Sequence, residues 1–127
     1  MTSVLANDLV SKSPADAKLY IIEPIDGATV SKTFKVIFGL SGMGVAPAGT
    51  NIENTGHHHI LIDMDNPPDL TKPLPASDQI RHFGGGQTET KLTLNHGEHT
   101  LQILLGNYAH IPHDKPVISK RITVIVK

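Results

Sequence analysis

Short runs of β-branched and aromatic residues, separated by glycine, proline and asparagine, restrict the fold of this chain more than any other feature. In the run 33–40, Phe34, Val36 and Phe38 alternate with side chains that would face the opposite way. No segment repeats apolar residues at the spacing of an amphipathic helix. The pattern predicts an all-β fold. The predicted strands are 18–22, 33–40, 57–63, 89–94, 99–105 and 118–126.

The number and spacing of these runs predict an immunoglobulin-like β-sandwich of about seven strands. A chain of 127 residues has the length of one domain with one core. The patterned part, residues 18–127, is therefore expected to form a single sandwich domain. Residues 1–17 are polar and unpatterned, and they predict a flexible N-terminal segment. The proline-rich stretch 66–80 leaves open whether a short edge strand lies there.

Composition removes several classes of function and indicates little about location. The absence of cysteine excludes disulfides, thiolate metal sites and cysteine nucleophiles. A formal net charge of −1 gives no indication of nucleic-acid binding, and no apolar stretch is long enough to span a membrane. The run Val4-Leu5-Ala6 has the small-residue pattern of a signal-peptidase site. Residues 1–17 would then include a remnant of a signal peptide, and an ordinary tail is the alternative.

Histidine is the residue type that stands out, with eight in the chain and a triplet at 57–59. It is the commonest metal-binding side chain, and it titrates near neutral pH. The net charge would reach +7 if all eight were protonated, so the protein is expected to respond to acid.

Sandwich topology predicts that most of the histidines meet. The start of strand 57–63, the end of strand 99–105 and the start of strand 89–94 lie at the same pole of an immunoglobulin-like domain. Six of the eight histidines are expected there, and they are His57, His58, His59, His82, His110 and His113. The other two fall at the opposite pole, where we expect His96 to be a packed or surface residue rather than a ligand, and His99 a structural, hydrogen-bonding corner residue.

Strand alternation sorts the triplet. His57 and His59 share one face and His58 the other, and one face is expected to look outward while the other packs in the core. Two imidazoles on one face, about 6.5–7 Å apart at Cα, suit chelation. His58 is then interpreted as structural.

The remaining predicted ligands come from loops at the same pole. His110 and His113 are the expected third and fourth ligands, with His82 and Met43 as alternates. A thioether beside imidazoles favours copper, whereas imidazoles alone suit copper or zinc. The alternative is a hydrogen-bonded imidazole network that ties the loops together without any ion.

Three consecutive glycines follow His82 and Phe83. Gly84, Gly85 and Gly86 permit close backbone approach, and with Gln87 their amides could form an anion-binding nest. The alternative is a tightly turned loop that leads into the next strand.

Several segments of the chain resemble those of a known family. The segments that carry the likeness are 42–49, 55–63, 82–89, 97–102, 105–107, 110–114 and 119–122. Over about residues 19–127 they resemble the bacterial domain-of-unknown-function family 4399. Members are typically small exported proteins, so the resemblance implies a periplasmic or secreted location. It implies no reaction.

Three functions fit the sequence. The first is a periplasmic metal-binding carrier or buffer, with copper as the expected ion and zinc as the alternative. The second is an interaction module that presents the same pole to a partner protein or a small anion. The third is a metal-dependent enzyme. It ranks last because Glu89 and Asp114 are the only carboxylates expected near the clustered histidines, and no nucleophile is evident.

Overall fold

The computed structural model describes residues 9–127. Within that range the chain forms nine strands and no α-helix. The strands are β1 (Lys18–Glu23), β2 (Ala28–Val30), β3 (Thr33–Ser41), β4 (Gly44–Val45), β5 (Thr55–Ile62), β6 (Ile80–Phe83), β7 (Glu89–Thr93), β8 (Gly97–Gly106) and β9 (Ile122–Val126). The all-β prediction is confirmed.

The strands form two sheets that share one core. The smaller sheet has the order β1-β3-β7, and the larger has the order β2-β9-β8-β5-β4, with β6 also paired to β5. Val36 and Phe38 from β3 pack with Ile60 and Ile62 from β5 in this core. The alternating runs recognised in the sequence supply its apolar faces, because every second side chain of a strand points the same way.

All six predicted runs contain a strand, and three short strands were not predicted. β2, β4 and β6 have only two to four residues, too few to show an alternating pattern. The last predicted run is a strand only from Ile122 onward, because Ile118 makes a single isolated bridge to Leu104. Residues 66–79 contain no strand.

The prediction that one face of β5 looks outward is wrong. Every residue of this strand after Thr55 is buried. Ile60 packs in the core between the sheets, whereas Leu61 packs on the other face against Leu74 and Leu104. The face expected to meet solvent is covered because the long connection between β5 and β6 folds back over it.

Residues 9–17 include a segment bonded to the loop that follows β8. Ser11 accepts a hydrogen bond from the amide of Asp114, and the Ser13 hydroxyl donates to the carbonyl of Lys115. The proposed cleavage site at Val4-Leu5-Ala6 lies outside the described residues. Over the described range, no helix has the length and hydropathy needed to cross a membrane.

Candidate metal centre

Pairing of β5 with its neighbours determines where the histidines meet. In the β5–β8 ladder His57 lies opposite Gly106 and His59 opposite Leu104. On its other side β5 pairs with β6, which puts His82 directly across from His59. His110 comes from the loop after β8, so four histidines from two strands and one loop gather where β5 begins and β8 ends.

Three of these imidazoles have the spacing of a metal site. His57, His59 and His110 each offer a ring nitrogen, and these nitrogens lie within 4.8 Å of one another. His57 and His59 are fully buried, and His110 is partly exposed. Nε2 of His57 lies 3.0 Å from Nδ1 of His110, so one of the two donates a hydrogen bond to the other.

His82 is the fourth member of the group. Its ring centroid lies 4.4 Å from that of His59 and 4.9 Å from that of His110. Its Nε2 is 3.0 Å from the carbonyl oxygen of Pro75. A carbonyl can only accept, so Nε2 carries the proton and Nδ1 keeps a lone pair. We call His57, His59, His82 and His110 the histidine cluster.

The tautomer of His59 is set in the same way. Its Nδ1 donates to the carbonyl of Leu104 at 3.3 Å, which leaves the lone pair on Nε2. That Nε2 atom is buried and has no hydrogen-bond partner in the protein, and neither has Nδ1 of His57. A buried polar atom without a partner is costly unless something binds it. Backbone carbonyls commonly orient metal-ligating histidines in this manner.

The surroundings keep His57, His59 and His110 neutral. Burial, and then the neighbouring imidazoles, lower the pKa of His57 to about 4 and that of His59 to about 2. Burial and the charge of His82 also lower the pKa of His110. Since imidazole must be neutral to bind a metal, His57, His59 and His110 are in their ligating protonation state at neutral pH.

Buried carboxylates are missing from this site. Within residues 9–127 the buried polar side chains are His57, His58, His59, Asn107, His113 and Ser119. The polar side chains that the fold gathers at this site are therefore imidazoles.

Gly106 makes room for the ring of His59 and Gly56 for the side chain of Leu105, and sequence reasoning did not find either role. A Cβ on Gly106 would lie 2.5 Å from Cε1 of His59, and a Cβ on Gly56 would lie 2.7 Å from Cγ of Leu105. The position of Gly56 immediately before the triplet is the only signal in the sequence. The crowding at Gly106 arises across the ladder and has no local pattern.

Comparison with known proteins identifies the family. A family described as "Domain of unknown function (DUF4399)" matches residues 36–127. The chain belongs to this family. The family resemblance seen in the sequence is thereby confirmed. None of the curated proteins matches the chain.

A solved structure shares the fold. The X-ray structure of the endo-β-1,4-mannanase from Thermotoga petrophila matches with a TM-score of 0.52 at 17% sequence identity. The match covers 88% of this chain and 20% of the mannanase chain. At this identity the likeness concerns the fold of that part of the enzyme.

Three predicted site residues of this DUF4399 domain lie outside the histidine cluster. His113 is buried, and its Nε2 donates to the carbonyl of Thr55 at 3.2 Å. Met43 packs against the core between the sheets. His58 also faces that core, where its ring stacks on Phe38 with centroids 4.5 Å apart.

The glycine loop of the domain bonds to itself and to a neighbouring loop. The amide of Gly85 donates to Oε1 of Gln87 at 2.8 Å, and the carbonyl of Gly84 accepts from the amide of Ala48. Gly86 has a φ of 82°, which favours glycine. The Gly85 amide, one of those that the predicted anion nest would use, is therefore already bonded within the turn.

At the other end of β8, both ring nitrogens of His99 lie within hydrogen-bond distance of an acceptor. Its Nδ1 lies 2.7 Å from Oδ2 of Asp63, and its Nε2 lies 2.7 Å from the carbonyl oxygen of Asn95. Both bonds require a proton on the ring nitrogen, so this geometry favours the imidazolium form. The bond to Asp63 is the main reason that the pKa of His99 is raised. His96 is exposed.

Proposed function

We propose that this protein binds a transition-metal ion through the histidine cluster and acts as a carrier or buffer for it, with copper as the preferred ion and zinc as the alternative. One observation carries the proposal. Nitrogens of His57, His59 and His110 lie within 4.8 Å of one another, and the free lone pair of His59 Nε2 is buried without a partner.

The ligand set is three imidazoles, with His82 as the fourth. Nδ1 of His82 carries the free lone pair, because its Nε2 donates to Pro75. The ligand nitrogens of His57, His59 and His110 now lie up to 4.8 Å apart. Metal–nitrogen bonds of about 2.0 Å require shorter separations, so the rings must move closer together around the ion. His82 and His110 are partly exposed, so their rings can turn about their side-chain bonds toward the ion while the backbone stays in place. Four protein ligands form a closed site, which suits storage or transfer better than catalysis.

The choice of copper rests on the imidazoles. Divalent copper binds nitrogen ligands more tightly than zinc does. The thioether argument for copper loses its basis, because Met43 packs against the core. A periplasmic or secreted location is part of this proposal, and it is supported by the exported character of the family that the sequence resembles.

We also propose that the two sheets are an immunoglobulin-like sandwich. Strands β1, β3 and β7 lie in one sheet and β5, β8 and β9 in the other. This division matches the A, B, E and C, F, G strands of such domains. The additional strand β2, which runs parallel to β9, departs from the simplest version of the fold.

An interaction module without an ion is the second candidate, in which the same residues form a hydrogen-bonded clamp. The observation that favours it is the 3.0 Å bond between His57 and His110, which already joins the strand to the loop. A partner protein would then bind the cluster through His82 and His110, which are partly exposed.

Titration of tag-free, metal-stripped protein with Cu(I), Cu(II) and Zn(II) separates these candidates. We expect one ion per chain, with affinity lost in the His59→Gln, His110→Ala double variant. The matched controls are His96→Ala, at an exposed histidine, and His113→Gln, at a buried histidine outside the cluster. Binding weaker than tens of micromolar for every ion, about −6 kcal/mol, would refute the metal proposal. So would binding that survives in the double variant.

A further inference from the structure

The loop that supplies His110 is organised by one buried side chain. Asn107 is 1% exposed. Its Oδ1 accepts hydrogen bonds from the amides of Ala109 at 2.9 Å and Ile111 at 3.0 Å. The two amides flank His110, so this oxygen determines the shape of the turn that carries the ligand.

The backbone of His110 needs this support. Its φ of 61° lies in the left-handed region, which non-glycine residues seldom adopt and which costs free energy. Its amide donates to the carbonyl of Asn107 at 2.9 Å, and its carbonyl accepts from the amide of Leu74 at 2.8 Å. Such a conformation persists only when the surroundings over-determine it. Here the surroundings hold the ring of His110 against His57.

The side-chain nitrogen of Asn107 bonds to residues near the N-terminal end of the described chain. Its Nδ2 donates to the carbonyl of Leu9 at 2.7 Å and to the hydroxyl of Ser11 at 3.0 Å. Both donors and both acceptor positions of the amide are therefore used. We call residues 9–14 the strap.

The strap is bonded to the same loop at further points. The amide of Ser13 donates to Oδ1 of Asp114 at 3.0 Å, and the amide of Asp114 donates to the carbonyl of Ser11 at 2.9 Å. The Ser13 hydroxyl donates to the carbonyl of Lys115 at 2.7 Å. The strap and the His110 loop are thus one hydrogen-bonded unit, with Asn107 at its centre.

We propose that Asn107 is the positioning residue of the metal site and that it couples occupancy of the site to docking of the strap. Its oxygen holds His110 in the ligating conformation, and its amide group transmits that order to residues 9–14. This inference rests on the proposed function. By linkage, a strap that favours metal binding must itself be held more firmly when the metal is bound, and such couplings are typically about 5–150-fold.

Two substitutions at Asn107 distinguish the role of its side-chain oxygen from that of its side-chain nitrogen. Asn107→Ala removes all four hydrogen bonds, and we expect it to raise the Kd for Cu(I) by about 10–100-fold, as losses of supporting contacts at metal sites do. Asn107→Asp keeps the acceptor for the turn and loses the donors to the strap. We expect it to raise Kd less, and to speed hydrogen exchange at the Ser13 amide. The Ser11→Ala, Ser13→Ala double variant is expected to act like Asn107→Asp.

Ser119→Ala is the matched control. Ser119 is buried, and its Oγ accepts from the amide of Ile103 at 2.9 Å, so the variant also removes a buried hydrogen bond, but not in the His110 loop. It should lower the unfolding midpoint while leaving Kd within about twofold. Addition of Cu(I), with Zn(II) as a second probe, should slow exchange at Ser13 in wild-type protein and in this control.

The outcomes separate the two proposals. If wild-type protein binds none of Cu(I), Cu(II) and Zn(II), the proposed function itself fails. If wild-type protein binds but Asn107→Ala binds equally well, the metal function stands and the positioning role is refuted. Unchanged exchange at Ser13 on metal binding refutes the coupling to the strap. If Asn107→Ala does not fold, Asn107→Asp and the double serine variant decide the coupling, because both keep the acceptor on which the turn depends.

Discussion

At the scale of residues, His59 and His99 show how the same side chain responds to opposite surroundings. Burial among other imidazoles lowers the pKa of His59 to about 2. A carboxylate and a carbonyl, each at 2.7 Å, accept from the ring of His99 and raise its pKa. The first ring is neutral and keeps a free lone pair, and the second is a cationic donor of hydrogen bonds to the protein.

His99 therefore gives a stability that depends on pH. Because its pKa is raised on folding, the contribution is fully present below the unfolded value of 6.5 and is lost as pH rises through the folded pKa. We expect His99→Gln to reduce the free energy of unfolding by about 1 kcal/mol more at pH 6 than at pH 9. Urea unfolding at the two pH values measures this difference. Equal losses at both would show that the ring is not charged in the folded protein.

At the scale of elements, the site is made by strand register and by loops that return to it. Alternation in the sequence correctly predicts that His57 and His59 share a face of β5, because a strand has a fixed period of two. It could not reveal that β6, with four residues, pairs His82 with His59. Nor could it show that the connection after β5 covers the outer face. The link from Asn107 to the strap depends on contacts between residues about one hundred positions apart, which no local pattern encodes.

The β5–β8 ladder leaves no room for a side chain beside His59. Gly106→Ala would place a Cβ 2.5 Å from Cε1 of that ring. We expect the variant to lose about 1–3 kcal/mol of stability through overpacking and to weaken metal binding as the ring is displaced. The control is Gly44→Ala on β4, whose added Cβ would make an ordinary contact of 3.8 Å with Thr55. Unaltered metal affinity in Gly106→Ala would mean that the His59 ring has another arrangement in the bound state.

At the scale of the whole molecule, the buried histidines make the fold sensitive to acid. The pKa values of His57 and His58 are lowered to about 4 and that of His59 to about 2, chiefly by burial. Below pH 6.5 the unfolded chain takes up protons that the folded chain refuses, so stability falls as the pH is lowered toward 4.

We expect the free energy of unfolding to fall between pH 6.5 and 4, by at most about 1 kcal/mol per pH unit for each such histidine. Bound copper should raise the stability at pH 7, and this gain should shrink in acid as protons compete for the ligands. Denaturant unfolding at a series of pH values, with and without the ion, measures both effects. A free energy of unfolding that stays level from pH 6.5 to 4.5 would contradict the neutral, buried state of these rings.

X-ray absorption spectroscopy of the copper-loaded protein identifies the atoms that bind the ion. If imidazoles alone hold it, as we propose, the spectrum will show three or four nitrogen ligands at about 2.0 Å, with the outer-shell scattering of imidazole rings and no sulfur. Loss of one of these ligands in His110→Ala would assign the shell to the cluster. A sulfur ligand, or a shell of oxygens without imidazole, would refute the proposed ligand set.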